Sequence, residues 1–272
     1  MNNISQHSVR AAGSLIRTGK VYSLAIPTGV DSVAYGARQY RLHVAPIYVG
    51  DAATYGSNRL QGYDDIIISH LGVGTQIDGF AHVALDGRHY NGVATSAVIR
   101  PHGAIRYGIE TLPPIVGRGV LLDLSSVRSN APARAVFNRA ELEAAMARQG
   151  VTVGQGDIVL LHTGNLQATA QGYVQRLDTV PGLGLEGARF LADRGVSAIG
   201  MDAWIPDALP AEDESAFLPV HGLLLVERGV FILENVRTAE LAADQAWEFF
   251  FVLAAPRFEG AVQSVVHPVA IR

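Results

Sequence analysis

Short apolar runs recur along the chain with polar punctuation between them. Val21 to Ile26, Leu42 to Val49, Asp65 to Ser69, Val120 to Leu124, Asp157 to His162, Val230 to Leu233 and Phe249 to Leu253 read as strands, most of them apolar enough to be central in a sheet. Two intervening segments keep helical spacing instead. Asn138 with Glu141 three residues on has the form of an N-cap with its reciprocal acid; Leu142, Ala145 and Met146 then share a face, and Gly150 ends the run. The second helix begins after Pro181-Gly182, carries Leu185, Ala188, Phe190 and Leu191, and stops at Gly195. This alternation predicts an α/β fold, a mixed β-sheet layered with helices. Ser129 to Ala133 reads as an exposed connection, and without a fixed repeat or a low-complexity linker residues 1–272 are expected to form a single domain.

Composition limits what such a fold can do. The 272 residues are 49% hydrophobic and 17% charged, enough to bury a large core. A net charge of -4, with no block of like charge and no aromatic-basic stripe, argues against nucleic acid and anionic membranes and for a small-molecule partner. The absence of cysteine removes thiolate catalysis, cysteine zinc sites and disulfides. The opening residues lack the pattern of a secretion signal, and the longest apolar stretch, Phe249 to Ala255, is too short to cross a bilayer, so a cytoplasmic location is expected.

Candidate chemistry concentrates between Gly74 and His82. If this segment is extended, Gln76 and Asp78 project from one face, so an amide oxygen and a carboxylate converge, and His82 follows a glycine-containing turn. A divalent cation held there would acidify a water, and an unattached imidazole would move protons. That combination points to hydrolysis. No serine nucleophile elbow, phosphate-cradling loop or dinucleotide fingerprint competes with it.

The wording Gly72-Val73-Gly74-Thr75-Gln76-Ile77-Asp78 with His82 four residues on, followed in order by Gly87 to Gly92, Gly117 to Asp123, His162-Thr163-Gly164, Pro219-Val220-His221 and Gly229 to Asn235, resembles the cyclase-type metal-dependent hydrolases. These include kynurenine formamidases, isatin hydrolases and cyclic-imide hydrolases, and the Gly-Thr-Gln-x-Asp form resembles a branch with cyclic-imide-hydrolase-like members. The resemblance runs from about Val21 to the C-terminus. It implies the family's swivelling β/β/α-like fold, metal ligation by Asp78, His221 and Glu234, and proton transfer by His82. It also implies cleavage of an amide-like C–N bond in a small cyclic amide, imide or aryl formamide, and assembly as a homodimer or homotetramer. Gln76 stands where many members have a histidine ligand, and Gly72 where they have the first histidine. Glutamine can still donate an oxygen, whereas glycine donates nothing, so one cation is expected rather than two, Zn²⁺ or Mn²⁺.

Further residues are candidates by position. Phe80, Asp202 and Trp204 would line a substrate pocket, though Trp204 suits a core equally. His70 would reach the pocket from the same strand face as Gly72, and His162 ends an apolar strand, where a backbone-bonded structural histidine is the rival. Glu234 closes another apolar strand and needs a cation or a donor there. The segment Trp247 to Phe251 is core or subunit interface. A lactone hydrolase, a lyase or dehydratase on the same metal, and a non-catalytic binding protein remain open as alternatives.

Overall fold

The structure, a computed structural model, describes residues 3–32, 34–47, 54–127 and 135–272. The expected connection at Ser129 to Ala133 and the last residues of the expected strand Leu42 to Val49 lie outside the described residues. In chain order the main elements are α1 (Gln6–Gly13), β1 (Val21–Ser23), β2 (Tyr40–Pro46), β3 (Tyr63–Ser69), β4 (Gln76–Asp78), β5 (Ile115–Asp123), α2 (Arg139–Gln149), β6 (Ile158–His162), α3 (Leu185–Ala192) and β7 (Ala198–Met201). They are followed by α4 (Pro219–His221), a π-helical turn (Gly222–Arg228), β8 (Phe231–Glu234), α5 (Ala239–Ala243), β9 (Glu248–Leu253), β10 (Gln263–Val265) and β11 (Val269–Ile271).

Nine strands form one mixed sheet in the order β1-β11-β9-β5-β6-β7-β8-β4-β10. The centre, β5 to β8, is parallel, and the flanks pair antiparallel. α2 crosses from β5 to β6 and α3 from β6 to β7, the connections that parallel neighbours need. α2 has the termini anticipated: Asn138 and Glu141 complete a capping box, and Gly150 ends the helix in the left-handed conformation at φ 66°, whereas α3 starts after Gly184 and is capped at Asp193, short of the expected stop at Gly195.

Each central strand is buried on both faces, and the period of two sorts its side chains. Val120, Leu122, Val159, Leu161, Ile199, Met201 and Ile232 pack toward Leu142, Ala145, Ala188, Leu191 and Leu223 of the helical layer. Leu121, Ile158, Leu160, Ala198 and Leu233 face the other way, against Ile77, Phe249 and Phe251. The aromatic run in β9 is therefore core: Phe249 and Phe251 are fully buried, with Glu248 and Phe250 alternating outward.

β2 and β3 depart from the expectation that these strands are central. Among the described residues they pair only with each other, in antiparallel register from Tyr40↔Ser69 to Pro46↔Tyr63. Leu42, Val44, Ile66, Ile67 and Ile68 are exposed, Ile68 by 70%. An apolar run specifies a place out of water, and among the described residues of the single chain nothing covers this ribbon. No helix among the described residues is long and apolar enough to cross a membrane.

Candidate metal centre

β4 is short, and its register is locked from both ends. Gly74 turns into it at φ +75°, and a Cβ there would lie 2.7 Å from Thr28 Oγ1. Thr75 Oγ1 accepts from the Ile26 amide at 2.9 Å and donates to the Asn235 carbonyl at 2.6 Å, while Asn235 Nδ2 donates to the Gly74 carbonyl at 2.8 Å. The Gly-Thr and Glu-Asn pairs of the sequence thus clamp β4 to the end of β8. With that register Gln76 stands opposite Glu234, and Gln263 of β10 stands opposite Asp78. Residues two apart on one strand, and those directly opposite on its neighbours, share a face, so four polar side chains meet on the helical side of the sheet.

His221 arrives from that side. Leu218 adopts φ 47°, Pro219 opens α4, and the helix widens into a π turn immediately after His221. Asp207, buried beneath, accepts from the Val220 amide at 2.7 Å and holds His221 Nδ1 at 2.6 Å. The opposite nitrogen, Nε2, then lies 3.2 Å from Glu234 Oε1 and 3.7 Å from Asp78 Oδ2. One ligand-capable atom from each of Asp78, His221 and Glu234 falls within 4.8 Å of the others, and all three residues are buried. His82 follows the turn in which its amide bonds the Gly79 carbonyl at 2.9 Å, and its Nε2 stands 4.0 Å from Asp78 Oδ1.

Gln76 places Nε2 at 2.5 Å from Glu234 Oε2. Its Oε1 and Asp78 Oδ2 are buried without a hydrogen-bond partner among the described residues. Two unsatisfied buried oxygens beside a histidine nitrogen are the donor set of a divalent cation of intermediate hardness, so the residues fit such an ion. The proton balance agrees. Burial and the Asp78 charge push Glu234 up to about 8. Asp78 moves down instead, because His82, His221 and Arg38 outweigh its burial. Burial works against a charged His221, yet the contacts with the carboxylates of Asp207, Asp78 and Glu234 raise it well above the usual range. Burial lowers His82, reinforced by His221 and Arg38 against the pull of Asp78. A cation would take over the role of these shared protons.

The other sequence candidates lie in different contacts. His162 Nδ1 is 2.8 Å from Thr238 Oγ1 and 3.3 Å from Asp202 Oδ2, while Asp202 also accepts from the Thr163 and Gly164 amides, so these two candidates tie strand ends to each other. Trp204 stacks on Tyr35 at 4.3 Å and donates from Nε1 to the Leu177 carbonyl at 3.2 Å. His70 is exposed beside the ribbon and accepts from the Gln39 amide at 2.9 Å. Phe80 stacks on Phe231 at 4.2 Å and meets Tyr90 at a tilt at 4.8 Å, bordering a cavity of about 200 Å³ with Tyr107 and Ile109. Sequence reading missed Asp207, Gln263 and Arg38. Asp207 had a signal, a carboxylate following the apolar segment Ala203-Trp204-Ile205-Pro206; Gln263 and Arg38 had none.

Residues 12–208 match the model of a family described as putative cyclase. A crystal structure described as a novel cyclase superposes with a TM-score of 0.85 at 29% identity, covering 100% of this chain and 94% of the other. Isatin hydrolase A from Ralstonia solanacearum shares the fold with a TM-score of 0.67 at 19% identity, over 99% and 98% of the two chains. Isatin hydrolase A from Labrenzia aggregata does so with a TM-score of 0.63 at 18% identity, over 92% and 93%. No curated protein matches the sequence.

Proposed function

The chain belongs to the putative cyclase family, and from that premise we propose that it is a metal-dependent hydrolase acting on an amide-like C–N bond of a small cyclic amide, imide or aryl formamide. The observation that carries the reading is the buried convergence of Asp78, His221 and Glu234 within 4.8 Å. These three residues would hold one Zn²⁺ or Mn²⁺, and Gln76, with its unpartnered Oε1, is the fourth candidate donor. The neighbouring isatin hydrolases support the reading by fold.

When bound, the cation would lower the pKa of a water and polarise the acyl oxygen. The chain's own groups do the rest. Asp207 fixes the His221 tautomer by accepting from Nδ1, which turns the Nε2 lone pair toward Asp78 and Glu234. In hydrolysis the water oxygen bonds to the acyl carbon, the C–N bond breaks, and a proton must reach the departing nitrogen. His82, lowered and therefore neutral at pH 7, can take the water's proton at Nε2 and return it to that nitrogen. Phe80 and the tyrosines beside it offer an apolar wall for a ring.

Elemental analysis of purified protein, followed by assay on cyclic imides, isatin, formylkynurenine and lactones with and without chelator, tests the proposal. Bound divalent metal and chelator-sensitive ring opening or deformylation are the expected results; a metal-free protein that turns over an amide substrate would sink it. We also propose that a second copy of the chain covers the exposed β2-β3 ribbon. What supports this is its apolar side chains on both faces, which a two-fold contact between like ribbons would bury. Light scattering that finds only monomer at micromolar concentration would refute it.

A further inference from the structure

Gly72 leaves a space that another side chain fills. A Cβ built there would lie 2.5 Å from Arg38 Nη1, 2.7 Å from Arg38 Cζ and 2.8 Å from Gln263 Nε2. The guanidinium is anchored by Nη1, which donates to the Gly72 carbonyl at 2.8 Å. Gln263 reaches the centre in turn, with Oε1 3.5 Å from Gln76 Nε2, and it shares the sheet face of Asp78. Arg38 therefore stands one side chain away from the candidate metal ligands, and its charge is felt by Asp78, Glu234 and His82.

A guanidinium has five N–H donors, and among the described residues Arg38 has no carboxylate partner and spends a donor on Gly72. Of the two carboxylates that feel its charge, Glu234 is engaged with Gln76 and His221, and Asp78 stands beside His221 and His82. The planar donor fork is suited to two oxygens on one carbon, in a half-buried position where such a pair is stronger than in water. Hydrolysis of an amide-like bond creates that group, since the acyl carbon gains the water's oxygen and becomes a carboxylate at neutral pH.

We propose that Arg38, seated in the space left by Gly72, forms an anion subsite that binds the carboxylate of the ligand beside the metal centre. The inference rests on the hydrolase reading for the source of that carboxylate. It defines the ligand as an acyl compound that carries or becomes a carboxylate, and it makes Arg38 a specificity-determining residue.

Benzoate and its uncharged isostere benzamide are the probes, titrated calorimetrically into the protein loaded with Mn²⁺. Wild type is expected to bind benzoate, and Arg38→Met to bind it about tenfold more weakly or worse, since hydrogen bonds to a charged group are lost. Gly72→Ala should show a similar loss because its methyl group displaces the guanidinium, whereas Arg38→Lys should retain part of the affinity. Benzamide binding and metal content should be the same in wild type and Arg38→Met. Equal benzoate affinity in wild type and Arg38→Met, no benzoate binding by wild type, or loss of the metal from Arg38→Met would each overturn the subsite. A wild-type protein that takes up no metal would instead overturn the hydrolase reading, and the same titrations on that metal-free protein would still decide the role of Arg38.

Discussion

Asp207 Oδ2 lies 2.6 Å from His221 Nδ1, and both residues are buried, at 1% and 3% exposure. That contact selects which imidazole nitrogen faces Asp78 and Glu234, so Asp207 governs the centre without entering it. Outer carboxylates of this kind are worth about 10–100-fold in metal affinity. Asp207→Asn should lose metal to a competing chelator by about that factor, with unchanged far-ultraviolet circular dichroism. Unaltered affinity would show that His221 is oriented by its helix alone.

His82 and Asp78 should separate in their effects. His82 is a 4.0 Å neighbour of Asp78 with 19% of its side chain exposed, whereas the Asp78 side chain is fully buried. His82→Ala should keep the metal and lower turnover by about 10²–10⁴-fold, the usual contribution of a general acid-base group. Asp78→Ala should lose the metal altogether. Because burial lowers His82, the acid limb of the rate profile should fall below the ordinary histidine pKa of 6.5. An acid limb above that value would assign proton transfer to another group.

Metal-free protein should lose stability as pH rises. Glu234 is raised in the folded chain from 4.5 to about 8, so its contribution is complete below 4.5 and disappears as pH passes through 8. His221, raised well above 6.5, acts in the same sense over a higher window. Thermal melts of chelator-treated protein between pH 5 and 9 should therefore fall. Excess Mn²⁺ should reverse the trend, because binding displaces these protons and tightens with pH. A shallower series for Glu234→Gln than for wild type would identify the share of the carboxyl, with the remaining slope belonging to His221.

What the chain discloses in advance depends on whether the signal is local. α2 was legible to its caps, α3 as a helix though not to its end, and β5, β6, β8 and β9 through their apolar runs, because propensity and burial agree there. Gln76 and Asp78 could be put on one face from their spacing alone. Their meeting with His221 and Glu234 needs the β4–β8 register and the bend at Leu218, which are long-range facts, so the resemblance to a family supplied what periodicity could not. β2 and β3 misled for a physical reason: an apolar run reports that water is to be avoided, but not what covers it. Arg38 was invisible because its significance lies in the missing side chain of a glycine far along the chain.

Gly119 and Phe249 show the same dependence on a missing side chain inside the core. They are paired directly across β5 and β9, and a Cβ at Gly119 would sit 2.0 Å from Phe249 Cε2 and 2.5 Å from its Cδ2. The ring is fully buried among Leu121, Ile158 and Phe251 and has no open side to turn into. Gly119→Ala should therefore cost about 1–3 kcal/mol or more from overpacking, despite its better β propensity, read as a lowered denaturant midpoint with unchanged slope. Adding Phe249→Leu should recover part of that loss, because the smaller side chain vacates the volume the methyl group needs. If the two substitutions are instead additive, the ring moves freely and the close approach is not what requires glycine at this position.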